Sequence, residues 1–368
     1  MIPSIPLTAR QRLWRQAVRW ILGKPRATVY SQDIINSPLP IDVGAEIINT
    51  CNADCSFCGY GKGPKGKAAD PRPKRKLDRS IYSHILKLYS DAGGGSFALS
   101  PILGEITAHP DWIDMVREAR SHANIVGVSC FTNAILFDRF DTKEVLTSGL
   151  THMAISTSLG SREQYKRLYG VDKYDQVVSN ILNLLRMNAT LGRPILFSLL
   201  LRIDKPFDVF LSSDLYKEIT TYIDPGNIEI LDNLWDDFHG VIGQDGIPVG
   251  HEFKYNAVDK TVPCYALFRK LQVLIDGTIQ GCSCRVEPEL WAGNIKDYQS
   301  LGSAWRDPAL QRLRDNWAAG NIPDCCKKCS HYQPFTNLIE DTSPARLARS
   351  LARRLLRRRP REAVMSDS

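Results

Sequence analysis

The chain has 368 residues, enough to bury a large core as one big domain or as one domain with an appendage. Its 43% hydrophobic and 24% charged content suits a globular enzyme, and the absence of any run of about 18 uncharged apolar residues argues against a spanning helix. The formal charge of +7 sits at the ends: residues 1–26 hold five Arg and Lys24 without an acid, and residues 343–361 hold eight Arg without an acid, which leaves the middle near −7.

The N-terminal stretch Leu13 to Leu22 is interrupted by Arg15 and Arg19 and does not read as a signal peptide. The expected compartment is therefore the cytoplasm, where the ten cysteines are thiols or metal ligands, not disulfides. Trp14, Val18 and Ile21 recur at helical spacing, as do Leu347, Leu351 and Leu355. Both basic ends thus read as amphipathic helices. They are expected to dock on the body by their apolar faces, or to attach to an anionic membrane surface or an acidic partner. No recognition motif accompanies the charge, so nucleic acid is not an expected partner.

Between the ends, strand-like and helix-like segments alternate. Val43–Asn49 reads as a strand and Leu77–Ser90 as a helix with Asp78 as N-cap. Ser96–Ser100 is a strand, Trp112–Ser121 a helix, Ile125–Phe131 a strand and Thr142–Ser148 a short helix. Thr151–Thr157 is a strand, followed by one long helix, Arg162–Met187. Ile195–Arg202 is a strand, Leu211–Tyr222 a helix and Ile228–Leu231 a strand. Six strands with helices between them predict an α/β fold with a parallel sheet and right-handed crossovers, a partial (β/α)6 TIM-like barrel. Chemistry in such folds gathers in the loops at the C-terminal strand ends. Beyond about residue 240 the alternation stops. Gln272–Ile275, a turn at Asp276-Gly277, and Thr278–Gln280 predict a hairpin. A further helix is expected over roughly Leu301–Ala318.

Cys51-Asn-Ala-Asp-Cys55-Ser-Phe-Cys58 directly follows the first strand. Three cysteines at this spacing can ligate three irons of a cubane cluster and leave the fourth iron open to a cofactor or substrate. A zinc site usually takes four ligands in paired CxxC form, for which a lone trio is poor. This stretch, with Phe57 before the last cysteine, resembles the signature of the radical S-adenosylmethionine (SAM) superfamily. In that family SAM chelates the open iron of a [4Fe–4S] cluster. Leu103-Gly104-Glu105-Ile106 resembles the family's GGEP segment, with Leu103 and Ile106 departing from it. Thr132-Asn133 resembles its TNG turn, with Ala134 in place of Gly. Ser156, Ser158, Lys166, Arg167 and Gly170 resemble the region that contacts the SAM ribose and carboxylate. The resemblance thus implies SAM binding by Phe57, Gly104, Glu105, Thr132, Asn133, Ser156, Ser158, Lys166 and Arg167.

A second group comprises Cys264, Gly277 and Cys282, then Cys325-Cys326-Lys-Lys-Cys329. It resembles the SPASM/twitch extension of radical SAM enzymes, in the shorter twitch form. The resemblance implies an auxiliary [4Fe–4S] cluster on Cys264, Cys282, Cys326 and Cys329, with Cys325 able to replace Cys326. Structural zinc at the same four sulfurs is the competing reading. The implied organisation is a basic segment over 1–40, the radical SAM barrel over 41–240, a small SPASM/twitch-like iron–sulfur domain over 241–335, and an Arg-rich tail over 336–368.

By the same resemblance, an electron from the first cluster cleaves SAM, and the 5′-deoxyadenosyl radical takes a hydrogen atom from a substrate C–H. The auxiliary cluster accepts an electron in a net oxidation or braces the pocket. Cys130 and Cys284 are the candidate catalytic thiols if the outcome is epimerisation, since either could return a hydrogen atom. Arg202, Asn233, Trp235, Asp236, Asp237 and His239 follow the fifth and sixth strands and are candidate substrate contacts. Only about forty residues precede the first strand, fewer than a peptide-recognition domain needs. The expected substrate is therefore a small polar molecule such as a sugar or aminocyclitol, with a peptide as the alternative. A flavodoxin or ferredoxin is the expected electron donor. A reading of another class is a non-catalytic zinc-binding adaptor.

Overall fold

The stretches with strand character become strands in the computed structural model, which describes residues 37–60, 70, 72–99, 102–232, 235–238, 240–253, 260, 263–327 and 329–332. They belong to one compact unit, Ile35–Gln333. Both basic ends, with their expected amphipathic helices and membrane contact, lie outside the described residues, as do Asn233 and His239.

The strands β1 (Asp42–Ala45), β2 (Gly95–Leu99), β3 (Ile125–Thr132), β4 (His152–Thr157), β5 (Leu196–Leu201) and β6 (Ile228–Ile230) lie side by side in sequence order. All five neighbouring pairs are parallel, with registers such as Val43↔Phe97, Leu99↔Cys130, Ser129↔His152 and Leu201↔Ile230. Helices fill the crossovers: α1 (Arg79–Asp91), α2 (Trp112–Ser121), α3 (Thr142–Leu146), α4 (Arg162–Tyr169), α5 (Tyr174–Thr190), α6 (Asp208–Leu211) and α7 (Asp214–Tyr222). Asp78 caps α1 by accepting from Ser80 N at 2.7 Å. The helices bury one apolar face each against the sheet, with Tyr82, Ile85, Phe97, Leu99, Trp112 and Met115 fully enclosed. Each such side chain contributes about 1.5–3 kcal/mol of burial energy.

After β6 the chain forms α8 (Tyr265–Arg269), β7 (Lys270–Val273), β8 (Thr278–Gln280), β9 (Trp291–Asn294), α9 (Leu301–Trp305), α10 (Pro308–Ala318) and α11 (Asp324–Lys327). The expected hairpin is present, with Gln272 opposite Gln280. Its first strand, however, also pairs in parallel with β1, Val43 opposite Leu271. The outcome is one nine-stranded sheet, ordered β6-β5-β4-β3-β2-β1-β7-β8-β9. β1 spends its second edge on β7, so the six-strand barrel stays partial and the C-terminal segment continues its sheet.

Three expected single helices are broken, each for a local reason. Arg162–Met187 divides at Gly170, the left-handed residue that ends α4 at φ +67°. Leu211–Tyr222 gives way at Ser213, whose hydroxyl caps α7 at Tyr216 N, 3.1 Å. Leu301–Ala318 divides at Asp307-Pro308, where Asp307 caps α10 at Ala309 N (2.7 Å) and Leu310 N (3.1 Å). Among the described residues no helix is long and apolar enough to cross a membrane.

One buried carboxylate joins the ends of β1, β2 and β7. Glu46, wholly inaccessible, accepts from both Arg72 Nη atoms (2.5 and 3.1 Å), from Leu103 N (3.3 Å) and from Ile275 N (3.1 Å). Arg72 also donates Nε to Asp70 at 2.9 Å. Breaking a buried pair of this kind costs about 3–5 kcal/mol, because the surviving charge has no partner. Glu46→Ala and Arg72→Met are therefore each expected to lower the unfolding free energy of the reconstituted protein, read from urea titration, by an amount in that range. Arg79→Met, which breaks the half-exposed Arg79–Glu118 pair, is expected to cost under about 1 kcal/mol.

Candidate active site

Cys51, Cys55 and Cys58 lie on the loop after β1 and line one cleft of about 350 Å³. The loop is tied down from behind. Asp54 N donates to Tyr169 O (3.1 Å), Ser56 N to Leu168 O (2.8 Å), and Cys58 N closes a turn on Cys55 O (3.1 Å). The acceptors are the last carbonyls of α4, which a helix leaves unpaired. A Cβ on Gly170 would lie 2.5 Å from Asp54 O, so glycine there lets the helix end meet the cysteine loop.

The loops after β2 and β3 close the cleft from the side. Gly104 takes φ +120°, and a Cβ on it would lie 2.6 Å from Ile48 O. That close approach lets Glu105 N donate to Thr50 O at 3.0 Å. The Glu105 carboxylate is buried and accepts from Thr107 Oγ1 (2.8 Å), Thr132 Oγ1 (2.5 Å) and Asn133 N (2.7 Å). Burial pushes its pKa up, and these donors pull it back. Glu105 is thus a brace between two loops, with its backbone at the cleft wall. Asn133 turns its Nδ2 to Asn52 Oδ1 at 2.8 Å, beside Cys51. Ala134 keeps the left-handed backbone of a glycine turn, φ +64°, at a cost of about 1–2 kcal/mol. Its N–H donates to Thr132 Oγ1 at 3.1 Å and its carbonyl accepts from Asn180 Nδ2 at 2.9 Å.

The other expected SAM contacts divide. Phe57 and Ser156 line the cleft with Gly104, Glu105, Thr132 and Asn133. The hydroxyls of Ser158 and of its neighbour Thr157 are buried without a partner. Lys166 points outward to Asp172 (3.4 Å), and Arg167 makes a two-bond pair with Asp204 (2.7 and 2.8 Å). Neither stands at the cleft wall.

The second cysteine group also converges. Cys264, Cys282, Cys284, Cys326 and Cys329 line a small cavity of about 30 Å³. Cys264 sits at the start of α8, Cys282 follows β8, and α11 carries Cys326. Cys325 lies 3.8 Å from Cys326, sulfur to sulfur, and does not line the cavity. Lys260 Nζ donates to the carbonyls of Cys326 (2.8 Å), Lys327 (2.7 Å) and Cys329 (2.8 Å), pinning this turn. Cys284 is on the second cavity's wall. Cys130 is 1% exposed and alternates along β3 with Phe131, which lines the cleft, so its thiol faces the other side of the sheet.

A third space, about 220 Å³, is lined by Phe57, Cys58, Arg202, Trp235, Asp236 and His331, among others. His331 also lines the cavity of the second cysteine group. Asp236, an expected substrate contact, is already engaged by Arg285, by His331 Nε2 at 3.2 Å and by Phe238 N at 2.9 Å. Asp237 is not among the residues lining this space.

Several wall residues had no motif to announce them: Tyr60, Lys74, Phe131 and Tyr169. Strand alternation from Ser129 would have marked Phe131. Tyr60 accepts from Val286 N at 2.9 Å, a contact across 226 positions that no local pattern encodes.

The donor sets suit iron–sulfur chemistry. Burial pushes the Cys51 and Cys329 thiols up to about 12, which disfavours a bare thiolate and leaves a metal ion to stabilise it. Among the described residues no three His, Cys, Asp or Glu side chains close on a single ion. A cubane does not require that, since each sulfur ligand binds a different corner iron. Asn52 Nδ2 and the Tyr165 hydroxyl, near Cys51 and Cys55, are buried without partners, as polar groups awaiting a polar ligand are.

Residues 45–197 match the radical SAM superfamily, and residues 264–330 match the SPASM iron–sulfur cluster-binding domain. A probable GTP 3′,8-cyclase of Saccharolobus islandicus is 29% identical over 140 residues, 38% of this chain and 42% of that protein. The chain thus spans about two fifths of the length of the curated relatives it matches. Streptococcus suis SuiB bound to S-adenosylmethionine superposes with TM-score 0.54 at 16% identity, over 83% of this chain and 75% of that one. BtrN in complex with AdoMet and 2-DOIA gives TM-score 0.50 at 11% identity, over 77% and 88%. At these identities the two structures attest the fold. A radical SAM domain over residues 45–197 and a SPASM iron–sulfur domain over residues 264–330 together imply a SAM-binding [4Fe–4S] cluster, S-adenosylmethionine and an auxiliary cluster.

Proposed function

We propose that the chain oxidises a small polar molecule by removing a hydrogen atom from an unactivated C–H bond, and that the space between the two cysteine groups is where the substrate sits. One observation carries this reading. Cys58 stands on one wall of the 220 Å³ space, and His331, which also faces the second cysteine cavity, stands on another. A volume below the ~300–1,000 Å³ of drug-sized pockets suits a small molecule or one side chain of a peptide.

Cys51, Cys55 and Cys58 are assigned to the first cluster, and Cys264, Cys282, Cys326 and Cys329 to the auxiliary one. Held by Cys51, Cys55 and Cys58, the first cluster would supply an electron, and SAM in the cleft would supply the hydrogen-abstracting radical. Gly104, Thr132 and Asn133 shape the cleft that holds SAM. Glu105 fixes those loops in place, and Ser156 brings a hydroxyl to the cleft wall. Phe57 lies edge-on to Tyr169 (5.4 Å) and Trp235 (6.1 Å), an aromatic wall that excludes water from the reacting centre. The auxiliary group, whose cavity shares His331 with the pocket, is assigned to take the second electron of a dehydrogenation. A buried, averted Cys130 favours oxidation over epimerisation, because a hydrogen-atom donor must reach the substrate. A flavodoxin or ferredoxin in the cytoplasm is assigned as electron donor.

The peptide alternative has support of its own. Streptococcus suis SuiB bound to precursor peptide SuiA also shares the fold, with TM-score 0.52 at 14% identity, over 83% of this chain and 71% of that one. A partner could deliver a peptide side chain to the same pocket.

Anaerobic reconstitution is expected to give about eight irons per chain, falling to about four in the Cys51/Cys55/Cys58→Ala variant. Dithionite and SAM should yield 5′-deoxyadenosine with the wild type only. Zinc in place of iron, or no SAM cleavage, would return the chain to the adaptor reading. Gly104→Ala is expected to displace the loop at Ile48 O and weaken SAM binding at least tenfold, while iron content stays near eight. Equilibrium dialysis with labelled SAM checks it.

A further inference from the structure

Arg202 ends β5 and stands in the wall of the 220 Å³ pocket. Its guanidinium lies 4.2 Å from the Phe57 ring centre and 5.9 Å from that of Trp235. Nη1 donates to Ser156 Oγ at 2.5 Å and reaches Tyr169 OH at 3.5 Å. Both are neutral hydroxyls. Nε is buried without a partner. Among the described residues no carboxylate pairs with Arg202. The other cations near this space are neutralised: Arg285 is paired with Asp236, and Arg167 with Asp204. A guanidinium has five donor hydrogens, and holding one in an aromatic surround without a counter-charge is costly.

The acid in the same wall offers no compensation. Asp236 accepts from Arg285, His331 and Phe238 N, so its charge is spent within the protein. Besides Cys58 and His331, which is turned to Asp236, the remaining described lining is apolar or aromatic: Phe57, Leu231, Trp235 and Phe238. Among its described lining the pocket thus presents one cation without a carboxylate partner, in a largely apolar and aromatic frame. That is the complement of an acid with an apolar body, and a poor match to a polyol or an amine, which would need a free carboxylate.

We infer that Arg202 is the specificity-determining residue of this pocket and that the substrate carries a carboxylate held by its guanidinium. This rests on the substrate position given under the proposed function and narrows the substrate from a polar molecule to an organic acid. Arg202 stacked on Phe57, the residue before Cys58, would hold such an acid at a fixed distance from the first cysteine loop. The fork accepts a carboxylate through two parallel N–H donors, which a lysine cannot reproduce.

The test uses the reconstituted holoprotein with SAM bound and two probes of equal shape, hydrocinnamate and its amide. Saturation-transfer NMR titration reads both affinities. Wild type is expected to bind the acid at least ~10-fold more tightly than the amide. In Arg202→Gln the ratio should fall to about one, and in Arg202→Lys it should lie between the two. Full iron content in each variant establishes that it is folded. Equal binding of acid and amide by wild type, or a preference that survives Arg202→Gln, overturns the inference. So does a tenfold loss of SAM affinity in Arg202→Gln with the acid preference intact, which would assign the guanidinium to the cofactor's own carboxylate. Wild type that makes no 5′-deoxyadenosine counts against the proposed reaction. Wild type that makes it yet shows no acid preference counts against Arg202 alone.

Discussion

The buried Glu46 carboxylate sets the frame on which the cleft is built. It sits where β1 runs out, five residues before Cys51, and takes donors from the loop after β2 and from the turn after β7. A carboxylate out of water needs such donors, and a positive partner, to be tolerable. Arg72 supplies the charge, and Asp70 orients Arg72. Because the three strand ends share one acceptor, the cysteine loop, the Gly104 loop and the β7–β8 turn hold fixed positions relative to one another. The same pairing explains why the C-terminal segment continues the barrel sheet. β7 fills the free edge of β1, and Ile275 N reaches Glu46 from there.

A second buried carboxylate repeats the device one loop away. Glu105 gathers Thr107, Thr132 and Asn133, and so joins the ends of β2 and β3. Neither Glu46 nor Glu105 has spare capacity for a cofactor through its side chain. Both act by placing backbone. This division of labour leaves main chain, cysteine sulfur and aromatic rings as the larger part of the cleft wall, beside Lys74 and the phenols of Tyr60 and Tyr169.

Much of this was legible in the chain. Six strand segments were found within a few residues, because buried parallel strands are apolar runs bounded by turns. Asp78 was readable as a cap because capping is local. Both cysteine groups were readable because ligand spacing is fixed by cluster geometry. The errors arose where a distant contact overrode local preference. Arg162–Met187 has helical character throughout, yet the cysteine loop needs the α4 carbonyls, and Gly170 opens them. Lys166 and Arg167 matched a motif position, but exposure and Asp204 took them elsewhere. Cys130 failed on strand parity, which a count from Phe131 could have revealed. The β1–β7 pairing joins positions more than two hundred apart, and no periodicity encodes that.

Charge balance inside the molecule separates structural ions from available ones. Arg72, Arg167 and Arg285 each meet a carboxylate, and each ties two segments together. Arg314 differs: burial lowers its pKa to about 10, and it spends donors on the carbonyls of Leu267 and Trp305 while lying 3.7 Å from the Trp305 ring centre. Its role is to cement α10 against α8. Arg202 shares the aromatic stacking but not the carbonyl acceptors, and Nη1 donates to the Ser156 hydroxyl instead. Two arginines with the same ring contact thus divide by what their remaining N–H groups meet. One gives two donors to backbone carbonyls, and the other gives one to a side-chain hydroxyl in a pocket wall.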